Sequence, residues 1–177
     1  GSRSIALVYN SDQSLYRFRQ GLMRTLREKG WTVYAIAPRG RYVKPIESTG
    51  AVFVPWHVIG RSINPIAEMR SLFALVRIYK LIRPSVAHHF TIKPKIYGAI
   101  ASRLARVPTI IASVTGLGYP LTGTTWKARA IGSLIRPIHR FAYRSSDVVT
   151  FQNMGDRDLL VAKNYVPAAK TCYMPGG

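Results

Sequence analysis

Short apolar runs alternate with segments of helical period along most of the chain, and nothing else in the sequence limits the fold so strongly. Ile5-Ala6-Leu7-Val8-Tyr9 has the length and composition of a buried strand. Leu15, Phe18, Leu22 and Leu26 then recur at helical spacing until Gly30 supplies a stop. Val33 to Ala37 predicts a second strand, closed by Pro38-Arg39-Gly40, and Val52 to Pro55 a third. Asn64-Pro65 starts a helix, with a capping side chain followed by proline at the first helical position. That helix carries Ile66, Met69, Leu72, Leu75, Val76, Tyr79 and Ile82 and ends before Pro84. Val86 to Phe90, Thr109 to Val114 and Val148 to Phe151 predict three more strands, with a helix from about Pro94 to Ala105. Lys170 to Met174 is a candidate seventh strand. Apolar strands separated by helices make βαβ units, hence an α/β fold with a mainly parallel sheet of six or seven strands, covered on both faces.

The 177 residues are 47% apolar and 19% charged, which suits one packed domain and excludes intrinsic disorder. Arg103 and Arg106 interrupt the best candidate for a membrane span. One cysteine, Cys172, excludes a disulfide framework and a cysteine-based zinc site. Gly1-Ser2 reads as a remnant of expression, residues 3–174 as the domain, and 175–177 as the start of a linker.

Lys and Arg number 26 against 7 Asp and Glu, a net charge of +19. No acid lies between Glu68 and Asp147, while bases recur from Arg70 to Arg144. Such a stretch points to an anionic partner: nucleic acid, a phosphorylated substrate or anionic lipid. A solvated basic face accounts for the same residues.

In an open parallel sheet, ligands bind beyond the carboxyl ends of the strands. The loop after strand one, with Asn10 and Ser11, opens a helix whose N-terminus suits an anion, and Arg17 and Arg19 lie close behind. A capped helix with two solvated arginines reads equally well there. There is no Gly-x-Gly-x-x-Gly fingerprint at this point and no Walker A sequence anywhere. After strand four come His88-His89-Phe90-Thr91-Ile92-Lys93-Pro94. Neighbouring strand residues point to opposite faces, so at most one of the two histidines faces a given pocket. Without adjacent cysteines or carboxylates they make a poor metal site. Thr115-Gly116-Leu117-Gly118 after strand five permits close backbone approach to a ligand, or is an ordinary glycine turn. Among carboxylates only Asp12 stands at a strand end, too few for a glycosidase pair.

From Trp126 to Arg144 the helical period places Ile131, Leu134, Ile135, Ile138, Phe141 and Ala142 on one side, with Arg129, Arg136, Arg140 and Arg144 opposite. The apolar stripe suits a helix that covers the sheet. Pro137 is expected to kink the helix or start a second one. Trp126, Lys127, Arg129, Arg136 and Arg140 form a candidate contact with an anionic membrane surface, with Tyr119 and Leu121 as loop residues for shallow insertion.

Four motifs occur in order: Ser14-Leu15-Tyr16-Arg17-Phe18-Arg19, His88 to Pro94, Val114-Thr115-Gly116-Leu117-Gly118-Tyr119 and Phe151-Gln152-Asn153. Together they resemble the amino-terminal half of bacterial family 4 glycosyltransferases. The resemblance is strongest to the branch acting on undecaprenyl-diphosphate-linked sugars in capsule, lipopolysaccharide and glycan assembly. It implies a Rossmann-like, doubly wound domain, one half of a GT-B fold. It also implies retaining transfer from a nucleotide sugar, UDP-linked, without a metal or other cofactor. The amino-terminal domain then binds a lipid-diphosphate-linked acceptor, and a separate carboxyl-terminal domain, not in this sequence, binds the donor. The expected location is cytoplasmic, peripheral on the inner membrane. The candidate substrate-binding residues, placed by the strand ends, are Asn10, Ser11, Arg17, Arg19, His88, Thr91, Lys93, Thr115, Gly116 and Gly118; no catalytic residue is assigned. Two positions depart from the family pattern: Phe90 replaces the second histidine of a His-x-His, and Thr115-Gly116 stands where many members place a donor-contacting histidine. The rival reading is a non-enzymatic nucleic-acid- or phosphate-binding α/β module, but no recognition helix, zinc finger or RNA-stacking motif supports nucleic acid as a partner.

Overall fold

The computed structural model describes residues 2–60, 62–117 and 124–175. Seven strands form one sheet: β1 (Ser4–Val8), β2 (Thr32–Ala37), β3 (Val52–Pro55), β4 (Val86–His89), β5 (Thr109–Val114), β6 (Val148–Phe151) and β7 (Thr171–Tyr173). Their order is β3-β2-β1-β4-β5-β6-β7 and every pairing is parallel. The expected α/β class, parallel sheet and strand number all hold.

The intervening helices are α1 (Asp12–Glu28), α2 (Val43–Glu47), α3 (Pro65–Ile82), α4 (Ile92–Ala105), α5 (Trp126–Ser145) and α6 (Met154–Ala162). Side chains alternate across each strand, so β1 feeds two cores. Ile5 and Leu7 pack with Leu15 and Met23 of α1 and Ile46 of α2. Ala6 and Val8 pack on the other side with Trp56 and with Leu75, Val76 and Tyr79 of α3. A third cluster joins Val149 and Phe151 of β6 to Tyr143 of α5 and Leu160 of α6. Helix α4 packs against both α3 and α5.

This topology positions the site. From β1 the chain crosses to β2 over one face, and from β4 to β5 over the other. The crevice where two such windings diverge, at the carboxyl ends of β1 and β4, is the usual ligand site of an open α/β sheet.

Two helices escape the sequence pattern. Helix α2 has five residues and contains Pro45, too short to show a period. Helix α6 is marked by its cap, since the Asn153 side chain accepts from the Asp156 N–H at 2.7 Å. Helix α5 runs without a break through Pro137, where a kink or a second helix was expected. Proline removes one backbone donor there. The buried face of the helix continues on both sides of it, through Gly132 and His139.

Candidate active site

A pocket of about 430 Å³ opens at the carboxyl ends of β1, β4 and β5. It is lined by Asn10, Gly60, Thr91, Ile92, Lys93, Lys95, Thr115 and Gly116. Asn10, Thr91, Lys93, Thr115 and Gly116 were singled out from the sequence, and the fold brings these five together. Gly118, Tyr119 and Leu121 lie outside the described residues.

The pocket wall owes its shape to Thr91. This residue precedes α4 with φ 63° and ψ 170°, a conformation that β-branched residues rarely adopt. Holding it there costs roughly 1–3 kcal/mol. Its hydroxyl donates to its neighbour, the Phe90 carbonyl, at 2.6 Å, so it does not cap the helix. The first turn of α4 therefore meets the pocket with no side chain capping its N–H groups.

Lys93 and Lys95 sit on that first turn and differ completely. The Lys93 ammonium donates to the Ile59 carbonyl at 2.5 Å, the Ser62 carbonyl at 2.7 Å and the Glu68 carboxylate at 2.9 Å. Its three donors are spent on tying α4 to the start of α3. Lys95 is 4% exposed, and its single partner is the Tyr143 hydroxyl at 3.3 Å. Its Nζ also lies 5.3 Å from the Tyr143 ring centroid. Burial lowers its pKa to about 8. His139 of α5, itself buried, is lowered to about 4 by burial and by the Lys95 charge.

The two adjacent histidines point to opposite faces, as strand alternation requires, and neither lines the pocket. His88 faces the α1 side. Its Nε2 bonds the Ser113 hydroxyl at 2.6 Å, and Ser113 bonds Thr150 at 2.6 Å, a polar chain across β4, β5 and β6. His89 faces the α3 side, with Nε2 2.7 Å from the Tyr79 hydroxyl. It is pressed on Gly98 of α4, where an added Cβ would meet the imidazole at 2.1 Å. Burial lowers both histidines to about 3, so both are neutral at physiological pH.

The other residues named from the sequence take varied positions. Ser11 caps α1, accepting from the Ser14 N–H at 3.3 Å. Arg17 is exposed and away from the pocket lining. Arg19 donates to the Tyr9 hydroxyl at 3.1 Å and lies 4.4 Å over the Phe90 ring, which also stacks on Tyr9 and His88. Asp12 is structural: its carboxylate accepts from the N–H groups of Gln13 and Tyr42 at 2.9 and 2.8 Å. Among the described residues, no three His, Cys, Asp or Glu side chains gather as a metal site.

On α5, Trp126, Lys127, Arg129 and Arg136 are exposed. Arg140 is turned inward, donating to the Lys163 carbonyl at 2.9 Å and covering the Tyr165 ring. The apolar stripe is a correction. Ile131, Leu134, Ile138 and Phe141 do not cover the sheet; each is exposed, Leu134 to 77%. The helix buries Ala128, Gly132, His139, Ala142 and Tyr143. Small side chains let it approach α4 closely, and that contact sets the rotation of the helix.

Gly60, Ile92 and Lys95 line the pocket but were not named as substrate-binding residues from the sequence, although Ile92 and Lys95 fall within the span after strand four. Lys95 lies four residues after Thr91, one helical turn on the same face, and counting the turn from Thr91 points to it. Gly60 carries no local signal.

The family model described as glycosyl transferase 4-like matches residues 4–153, which includes the pocket. The chain belongs to that family. Among curated proteins it is 20% identical over 156 residues to the N,N′-diacetylbacillosaminyl-diphospho-undecaprenol α-1,3-N-acetylgalactosaminyltransferase of Campylobacter jejuni, covering 88% of this chain and 42% of that protein. It is 28% identical over 131 residues to the UDP-Gal:α-D-GlcNAc-diphosphoundecaprenol α-1,3-galactosyltransferase of Escherichia coli, covering 74% and 32%. The chain thus spans less than half the length of these relatives. A glycosyltransferase structure from Rickettsia africae superposes with a TM-score of 0.74 at 13% identity, covering all of this chain and 44% of that one. Likeness at that identity shows the fold alone.

Proposed function

We propose that the chain is the acceptor-binding, amino-terminal half of a retaining glycosyltransferase. It serves transfer of a sugar from a UDP-sugar to a lipid-diphosphate-linked saccharide in bacterial surface polysaccharide or glycan assembly. The observation that carries this reading is the pocket itself. It lies at the topological switch point, lined by Asn10, Thr91, Thr115 and Gly116, in a chain of the glycosyl transferase 4-like family. The names of both curated relatives specify diphosphoundecaprenol-linked acceptors, and one names a UDP-sugar donor. Both relatives are more than twice as long as the matched segment. This supports a division in which a second domain holds the nucleotide and stabilises the charge developing on it.

The same reading places the protein at the cytoplasmic face of the inner membrane, with no role for nucleic acid. Among the described residues no helix is long and apolar enough to cross a membrane. Exposed Trp126 and Leu134 stand beside Lys127, Arg129 and Arg136 on α5. Apolar side chains interleaved with bases suit shallow contact with anionic lipid, each base contributing about 1 kcal/mol near such a surface.

The test offers the 177-residue chain a UDP-sugar and an undecaprenyl-diphosphate-linked acceptor, with anionic liposomes present. Binding to acceptor-loaded liposomes without sugar transfer is the expected result. Sustained transfer by this chain alone refutes the division of labour. Preference for duplex DNA over anionic liposomes at equal salt refutes the membrane assignment.

A further inference from the structure

We propose that Lys95 is the diphosphate-recognising residue of the pocket, its ammonium and the uncapped first turn of α4 together receiving an anion that enters past Asn10 and Thr115. The assignment of that diphosphate to the lipid-linked acceptor rests on the function proposed above; the assignment of Lys95 does not.

A lysine that is 4% exposed has left most of its hydration behind. Buried ammonium groups ordinarily regain this through a carboxylate and a full set of acceptors. Among the described residues Lys95 has one neutral acceptor, the Tyr143 hydroxyl, which leaves two of its N–H donors without a partner there. Among the described residues the ion pairs are Lys93–Glu68 and Arg157–Asp158, so no carboxylate reaches it. A side chain with only a packing role at this position would cost less as methionine. The position retains a charge that the fold does not neutralise, in the wall of a pocket.

The surroundings define what neutralises it. Helix α4 is 14 residues long and presents the positive end of its dipole at the pocket, with no capping side chain. Asn10, Thr91 and Thr115 line the same space and carry no charge. The nearby base, Lys93, is already saturated. Pro94 has no N–H and the Lys95 backbone N–H donates to the Thr91 carbonyl, so the helix offers the Ile92 and Lys93 N–H groups. An anion with several acceptor oxygens matches these plus the ammonium donors better than a monodentate carboxylate does.

Protonation supports the assignment. Burial lowers Lys95 to about 8, so near neutrality it is charged but loosely so, and a bound anion stabilises the charged form. The groups facing it are Tyr143 and His139 of α5, and Lys93 on its own helix, neutralised by Glu68 of α3. His139 is neutral above about pH 4 and does not compete for the anion at pH 7.

The experiment titrates the 177-residue chain with inorganic pyrophosphate at pH 7, following the Lys95 side-chain Cε–Hε resonance and the global affinity. Lys95→Met is expected to weaken binding about tenfold or more, because a charge-assisted bond is lost. Arg24→Gln, an exposed substitution that removes the same net charge, is expected to leave affinity unchanged. In the wild type the Lys95 resonance is expected to move on saturation and its titration midpoint to rise above about 8. An unshifted Lys95 resonance at saturation overturns the assignment, and so does equal pyrophosphate affinity in Lys95→Met. The resonance arm decides the question even where the variant does not fold. Farnesyl diphosphate and UDP then separate the two sources of a diphosphate. Tighter binding of farnesyl diphosphate supports the acceptor reading, and tighter binding of UDP overturns that reading while leaving Lys95 as the diphosphate residue.

Discussion

Helices α4 and α5 lie side by side and handle apolar and charged residues in opposite ways. Helix α4 has little amphipathic pattern, yet it is enclosed, burying Pro94, Lys95, Gly98, Ala99, Ala101 and Ser102. Helix α5 has a pronounced apolar stripe and leaves it in solvent, burying Ala128, Gly132 and Ala142 instead. The contact between them joins small buried side chains with the Lys95–Tyr143 pair and the Arg103 bond to the Ser145 carbonyl. Closeness of approach, more than hydrophobicity, decided which faces meet. Charge divides the same way. On α5 the cations Arg129 and Arg136 stay hydrated, whereas at the start of α4 Lys93 is fully bonded and Lys95 is buried against the neutral Tyr143 hydroxyl.

The largest expected effect tests the enclosed region as a whole. His88, His89 and His139 all have pKa values lowered from 6.5, to about 3, 3 and 4. A histidine depressed in the folded state contributes its full stability above 6.5 and loses it as pH falls toward the folded value. Each then costs roughly 1.4 kcal/mol per pH unit within that window. Thermal melts should show Tm falling steeply between pH 6.5 and 4; a flat Tm over that range would mean these histidines are not enclosed. Lys95 acts at the other end. Its folded value of about 8 lies below the unfolded 10.5, so its burial cost is relieved as pH rises through 8.

Next in size is Gly98→Ala. A methyl group there meets the His89 ring at 2.1 Å, and the ring is held by Tyr79. The expected loss is about 3 kcal/mol, measured by urea unfolding. Leu134→Gln on the open face of α5 should shift stability by less than ~0.5 kcal/mol. Equal losses in the two variants would erase the distinction between the helices.

Smaller than the Gly98→Ala loss is a pair of changes that sharpens the contrast within α4. Lys93→Met should cost about 1–2 kcal/mol, since Glu68 and two carbonyls lose their partner. Lys95→Met should be neutral or slightly stabilising, because it removes a buried charge without a counter-ion. Paired urea titrations decide this, and a larger loss at Lys95 would show that the Tyr143 contact is a structural bond.

Strands were legible because their signals are local: a short apolar run, then a polar or proline-bearing break, as at Ala37-Pro38 or Val8-Tyr9-Asn10. The opposed histidines were legible because alternation is a property of any strand. The pocket was legible as far as strand ends go, which yielded Asn10, Thr91 and Thr115. Lys93 and Lys95 could not be told apart, because their difference depends on where Glu68 and Tyr143 arrive from 25 residues before Lys93 and 48 after Lys95. The stripe on α5 misled for a similar reason. Periodicity reports that a helix has two faces, while its neighbour decides which of them is buried.

The central position of β1 has a consequence for how the chain comes into being. Its backbone and Ser4 side chain are joined to Ser85, 81 residues later, across the β1–β4 seam. At synthesis rates of about 5–20 residues per second, β4 follows β1 out of the ribosome by roughly 4–16 seconds. Until β4 emerges, a sheet of β1, β2 and β3 has as its bare edge β1, an interior strand of the finished sheet. The nascent chain therefore carries a strand that is buried throughout in the finished fold as an open pairing edge, a site for association with other chains until β4 covers it.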